Sequence, residues 1–225
     1  MKFSGLLKTS LIDYPNKISS VLYTPGCNLR CPFCHNWRIV LDPKPPFLSE
    51  TEAINILESR KKYIDAVVVT GGEPTMHNDL PNFIMKLKEK GFHVKLDTNG
   101  FYPEVLQACL PFVDYVALDI KTTPEKYISL GAKNTINLLC TIKMLKTGKI
   151  PYEFRTTIVP ELITAEDLPQ IGELLAGGSH LVLQQYNSED TLDKDYEKIN
   201  PYSAEEIKKI AKTLERFVKN ISLRL

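Results

Sequence analysis

Three of the five cysteines fall in one short stretch, Gly26-Cys27-Asn28-Leu29-Arg30-Cys31-Pro32-Phe33-Cys34-His35-Asn36. The thiolate is the form of cysteine that binds metal. Thiolates with gaps of three and then two residues can hold an iron–sulfur cluster and leave one iron without a protein ligand. An open iron is a docking point for a small chelating molecule. The competing chemistry is zinc, with His35 as fourth ligand. Structural zinc sites usually pair two knuckles from separate segments, and adjacent Cys34 and His35 would strain to reach one ion. The spacing therefore favours the cluster without removing zinc. Cys109 and Cys140 lie in helical patterns and read as small buried hydrophobes.

Other residues able to do chemistry recur at the ends of β-rich runs. In Thr70-Gly71-Gly72-Glu73-Pro74-Thr75, two glycines allow a backbone to approach a ligand closely. Glu73 and exposed carbonyls can accept hydrogen bonds from an ammonium. Asp97-Thr98-Asn99-Gly100 closes the next run, although Asn-Gly by itself marks only a turn. Asp119 and Lys121, two apart, project from one strand face as an active pair or a plain ion pair. Arg155 sits among β-branched residues; in a buried strand it needs an anion. Gln184 and Gln185 end the sixth run, and one of them must face inward. His77, His93 and His180 are scattered and read as local structure.

These residues need a scaffold, and the remaining pattern supplies one. Six β-rich runs, 18–24, 65–70, 92–98, 115–120, 153–159 and 180–186, alternate with amphipathic helical patterns. Ala66-Val67-Val68-Val69 is wholly apolar, as in a parallel sheet covered on both faces. Ser49 with Glu52 forms a capping box for a helix reaching about Tyr63. Asp79 opens a second helix with the stripe Phe83, Ile84, Leu87, ending at Gly91. Further helices run from Asn134 to Thr147, from Thr164 towards Gly177, and from Ser203 with Ile207, Ile210, Leu214 and Phe217 inward. Serial βα units make either a doubly wound sheet or a barrel. Trp37 to Phe47, with Pro43, Pro45 and Pro46, reads as a loop, either ordered over the cluster or a plain connector.

Composition narrows the class. The 225 residues, 43% hydrophobic, can bury one sizeable core. Lys+Arg 28 against Asp+Glu 27 leaves no basic surface for nucleic acid or a membrane. No apolar run approaches the roughly 20 residues of a membrane span. An odd, clustered cysteine count argues against a disulfide framework and for the reducing cytoplasm.

The CxxxCxxC spacing with Phe33 before the last cysteine resembles the signature of the radical S-adenosylmethionine superfamily. The longer string from Gly26 to Asn36 is similar to the glycyl-radical-enzyme activating proteins. Among these it most resembles the anaerobic ribonucleoside-triphosphate reductase activating proteins, with pyruvate formate-lyase activase as a near relative. Leu11-Ile12-Asp13-Tyr14-Pro15-Asn16 is similar to the family's Asp-Tyr-Pro-Gly segment, with Asn16 for glycine, and Asn tolerates the left-handed conformation. The similarity covers essentially the whole chain.

The resemblance implies an α/β fold, an incomplete (β/α)6 TIM-like barrel of parallel strands, as one radical SAM domain over residues 1–225. It implies a [4Fe-4S] cluster on Cys27, Cys31 and Cys34 and S-adenosylmethionine on the open iron. Phe33 would abut the adenine, and Gly71, Gly72, Glu73 and Pro74 would meet the methionine amino group. Asp97, Asn99, Asp119, Lys121 and Arg155 would surround the methionine moiety, with Asp119 and Lys121 also near the substrate backbone; Gln184 would reach the ribose. The implied chemistry is one-electron cleavage to a 5′-deoxyadenosyl radical that abstracts hydrogen from a glycine of a partner enzyme. Anaerobic ribonucleotide reductase is the partner implied, with flavodoxin or ferredoxin as electron donor. Competing readings are a pyruvate formate-lyase-type activase, a radical enzyme on a small molecule like the 7-carboxy-7-deazaguanine synthases, and a zinc-bound interaction module.

Overall fold

The computed structural model describes all 225 residues, which divide into two compact units. The first unit holds residues 1–28 and 36–117, the second 29–35 and 118–225. No helix is long and apolar enough to cross a membrane.

In the first unit, β1 (Gly5–Ser10) runs antiparallel to β2 (Ser19–Thr24). The helix α1 (Glu50–Ser59) follows, then β3 (Ala66–Gly71), parallel to β2. After α2 (Leu80–Glu89) comes β4 (His93–Thr98), parallel to β3, and then α3 (Pro103–Cys109). Register aligns Val68 with Lys95 and Val69 with Leu96, so alternate residues form two buried faces. Val67, Val69, Phe83, Ile84 and Leu87 are fully buried, each contributing about 1.5–3 kcal/mol of transfer free energy. The Ser49 capping box forms as expected, its hydroxyl accepting from Glu52 N–H. Asn16 adopts φ 59°, the left-handed turn expected where the family carries glycine.

In the second unit, β5 (Tyr115–Asp119) enters from the first unit, and α4 (Ile136–Thr147) ends at Gly148 as expected. Strand β6 (Tyr152–Ile158) is followed by α5 (Leu168–Leu175), which Thr164 and Asp167 open through a capping box on a preceding 3-10 turn. Strand β7 (Leu181–Gln185) runs parallel to β6, and α6 (Ala204–Leu214) is capped by Ser203 and Glu206. The chain closes on β8 (Ile221–Arg224), parallel to β7. The six-fold βα succession and α/β class match the sequence reading.

Three expectations need correction. Trp37–Leu41 is a short helix rather than loop, because its prolines begin only at Pro43. Cys140 is exposed on α4, whereas Cys109 is buried. β1 and β8 had no counterpart among the six expected strands.

Candidate functional site

The cysteine stretch begins where β2 ends, and the first unit holds its start through backbone bonds. Glu73 N–H donates to the Gly26 carbonyl at 2.8 Å, and Gly72 N–H donates to Thr24 O at 2.8 Å. Gly26 N–H reaches Ile39 O, and Asn36 Nδ2 donates to Gly71 O at 2.8 Å. His77 Nε2 lies 3.1 Å from Pro25 O. The need for glycine follows from this closeness. A Cβ on Gly72 would sit 1.7 Å from Gly26 O, and one on Gly71, at φ 119°, would sit 2.3 Å from Thr24 N. Gly72 thus lets the Gly26 backbone close onto the turn after β3, and Gly71 lets Thr24 of β2 do the same, partners the sequence reading did not foresee.

Glu73 is buried, and both of its oxygens are engaged. Oε1 accepts from Thr75 N–H at 3.0 Å, from the Thr75 hydroxyl, and from the Thr98 hydroxyl at 2.6 Å. Oε2 accepts from Asn99 N–H at 2.6 Å. Burial pushes the carboxyl up from its ordinary range, against these donors. This carboxylate joins the end of β3 to the end of β4. Pro74 is buried and opens the turn Pro74–Met76.

Asn99 continues that link toward sulfur. Its Nδ2 lies 3.6 Å from Cys27 Sγ and 2.8 Å from Asn28 Oδ1, while Phe101 N–H donates to its Oδ1 at 3.2 Å. The same sulfur lies 3.9 Å from Asn28 Oδ1, toward which its thiol donates. Asp97, one residue before Thr98 on β4 and so on the opposite face from it, accepts from Lys95 Nζ at 2.5 Å.

The second unit carries Cys31, Phe33 and Cys34. Cys34 N–H donates to Cys31 O at 3.1 Å, and Arg30 N–H to Leu130 O at 2.8 Å. Asp193 N–H bonds Pro32 O at 2.9 Å, and His35 Nε2 lies 2.9 Å from Asn187 O. His35 therefore turns this nitrogen to a carbonyl. All five cysteines are free of disulfides. Three thiols are a donor set that fits an iron–sulfur cluster with one iron left open.

Asp119 ends β5 and accepts from Arg155 Nε at 2.6 Å and from Lys121 Nζ at 3.2 Å. Burial alone would raise its carboxyl, but Arg155 and then Lys121 hold it well below the usual carboxylate range. So the anion Arg155 requires is supplied by the protein itself. Two cations against one carboxylate still leave a net +1. Phe33, Asp119, Ile120, Lys121, Arg155 and Thr157 line one small cavity, and Lys121 Nζ lies 6.0 Å from the Phe33 ring centroid. Lys121 N–H donates to the hydroxyl of fully buried Tyr127 at 2.8 Å. Gln185 donates to Tyr202 O, whereas Gln184 pairs in register with Thr157 and shares its face. Sequence reading passed over Lys95, Tyr127, Thr75 and Thr98; only Lys95, two before Asp97 on a strand, had a signal that could have found it.

Residues 21–175 match the family model described as the radical SAM superfamily. This chain belongs to that superfamily. It is 34% identical to a Methanocaldococcus jannaschii protein assigned as a glycyl-radical enzyme activating enzyme, over 98% of this chain and 95% of that one. It is 31% identical to the pyruvate formate-lyase-activating enzyme of Staphylococcus aureus, over 73% of this chain and 71% of that one. The superfamily member at hand is thus a radical-generating oxidoreductase of the glycyl-radical activase group, whose cofactors are a [4Fe-4S] cluster and S-adenosylmethionine. Streptococcus suis SuiB shares the fold at a TM-score of 0.68 and 14% identity over 91% of this chain, which spans about half of SuiB's length (48%). TYW1 with a lysine-pyruvate adduct shares it at 0.67 and 20% identity, over 88% of this chain and 72% of that one. The fold class is the radical SAM core that the resemblance implied.

Proposed function

We propose that this radical SAM activase generates the glycyl radical of an anaerobic ribonucleotide reductase, using a flavodoxin or ferredoxin as electron donor. The motif from Gly26 to Asn36 and the Asp13-Tyr14-Pro15 segment with left-handed Asn16 support this partner. Cys27, Cys31 and Cys34 would hold the cluster. That cluster, with S-adenosylmethionine bound, would supply the one-electron chemistry that makes a carbon radical able to take hydrogen from glycine.

The chain's residues act by placement. Asn99 donates toward Cys27 sulfur. The net-positive Asp119–Lys121–Arg155 group would take the cofactor carboxylate, with Asp119 orienting Arg155 through its Nε. Phe33, mostly buried beside that group, would exclude water and abut the adenine. Asp97 and the Gly72–Pro74 carbonyls would attend the methionine end, while Glu73 fixes the strand ends that carry them. Gln184 would meet the ribose. The observation that carries this reading is the single cavity lined by both Phe33 of the cysteine stretch and the Asp119, Lys121, Arg155 group.

The test is anaerobic reconstitution with iron and sulfide, reduction, and measurement of 5′-deoxyadenosine and of the glycyl radical by electron paramagnetic resonance. Candidate reductase and pyruvate formate-lyase are supplied in separate reactions. A radical on the reductase alone is expected. A radical on the lyase alone favours the second reading, which the 31% identity to the Staphylococcus aureus enzyme supports. Cofactor cleavage coupled to a small molecule, with neither protein activated, removes both.

A further inference from the structure

Lys95 is fully buried, and its ammonium bonds Asp97 Oδ1 at 2.5 Å. The two residues share one face of β4, because side chains two apart on a strand point the same way. That face is otherwise hostile to charge. Val68 stands beside Lys95 in register, and Val68, Val21, Ala66 and Tyr14 form one apolar cluster. Lysine is almost never fully buried without a partner. A buried ion pair is also weak support for a fold, since an apolar pair of similar volume is often as stable or more so. The placement along the strand suggests what the pair does instead. Asp97, Thr98 and Asn99 occupy successive positions at the carboxyl end of β4; Thr98 and Asn99 bind Glu73, and Asn99 reaches Cys27 sulfur. Lys95 lies one pleat behind Asp97, on the side away from that end.

We propose that Lys95 is a positioning residue, whose internal hydrogen bond holds the Asp97 side chain in one rotamer, facing the carboxyl end of β4. The proposal rests on the reading that Asp97 attends the methionine end of S-adenosylmethionine. Lys95 touches no cofactor itself; it acts through Asp97.

A double-mutant cycle tests this, with Lys95→Met, Asp97→Asn and the double variant. The dissociation constant for S-adenosylmethionine is measured by calorimetry on reconstituted, unreduced protein, so turnover does not enter. Iron content and the melting temperature are recorded alongside. Lys95→Met is expected to weaken binding about 10- to 100-fold, the loss seen when the support of a ligating group is removed, with iron content unchanged. In the Asp97→Asn background the same change is expected to cost less than about threefold, because the group it supports is already gone. Binding of Lys95→Met within about threefold of wild type overturns the proposal, as do independent effects that multiply. If Lys95→Met does not fold, the double variant decides, since it removes both charges together. It must bind as Asp97→Asn does; clearly weaker binding overturns the proposal. Wild-type protein that fails to bind the cofactor removes the functional reading and this inference with it, an outcome distinct from the others.

Discussion

Each of the two units holds an acid at a strand end, and the two acids are stabilised in opposite ways. Glu73 in the first unit is surrounded by neutral donors, two hydroxyls and two backbone N–H groups, with no cation on its oxygens. Asp119 in the second unit is gripped by a guanidinium and an ammonium. Desolvation opposes the charge in both cases, and only Asp119 has cations that overcome it. Sequence position at a strand end thus does not specify a role. The surroundings make one acid a brace between strands and the other an anchor for cations that can receive an anionic ligand.

The largest effect is expected at Cys31, which belongs with the charged group, whereas Cys27 belongs with the brace. Cys31→Ala should abolish the brown cluster absorbance and all 5′-deoxyadenosine formation while the far-ultraviolet circular dichroism stays near wild type. Retained cofactor cleavage would remove the cluster assignment and leave the comparison without a function. Next comes Gly72→Ala, which attacks the first unit alone. Its Cβ would lie 1.7 Å from Gly26 O, against backbone that cannot rotate away. A cost of about 3 kcal/mol is expected from overpacking, with iron content after reconstitution falling below about half. Full iron loading and unchanged stability would mean that the Gly26–Gly72 contact does not position Cys27.

The acids themselves sharpen the contrast through pH. Burial raises the Glu73 carboxyl above its ordinary 4.5, so its contribution to stability is complete below that pH and is lost as pH rises. The Asp119 carboxyl is held below its ordinary 3.8, so its contribution is present above that pH and is lost as pH falls. Urea midpoints of the cluster-free protein, measured from acid to neutral pH, should separate the two. Glu73→Gln should flatten the decline above pH 4.5, at a cost of about 1–3 kcal/mol at low pH for the donor left facing an amide N–H. Asp119→Asn should flatten the decline below pH 3.8. If both variants flatten the same limb, the two acids are equivalent and the comparison fails.

Much of the scaffold was legible because its signals are local. Ser49 with Glu52 announces its helix within four residues, and the box forms; Ser203 announces the last helix, where Glu206 completes a second box. The apolar run at Val67–Val69 announces a strand covered on both faces. Edge strands lacked such signals: Gly5–Ser10 carries lysine, threonine and serine, and Ile221–Arg224 is four residues long. At the site, residue types were legible and partners were not. Glu73 finds Thr98 and Asn99 across more than 20 residues of sequence, and Arg155 finds Asp119 across 36. Only strand order and register create those pairs. The glycines beside Glu73 illustrate the same limit, since the small size of Gly72 serves the Gly26 carbonyl and that of Gly71 the Thr24 backbone, neighbours far away in the chain.

The smallest effect is expected where register decides between adjacent glutamines. Thr157 aligns with Gln184, and Arg155 with Val182, so Gln184 shares the face that carries Arg155 and Thr157. Gln185 points the other way and donates to the Tyr202 carbonyl at 3.0 Å, just ahead of α6. Gln184→Ala should therefore raise the KM for S-adenosylmethionine about 3- to 10-fold, the loss of one hydrogen bond, with no change in melting temperature. Gln185→Ala should do the reverse, leaving KM alone and costing about 1 kcal/mol of stability through the orphaned carbonyl. The pair distinguishes a ligand-facing amide from a structural one at a single residue's offset. A KM effect confined to Gln185 would mean that the face carrying Arg155 is not the one that meets the cofactor, and the charged group of the second unit would then be an internal brace like Glu73.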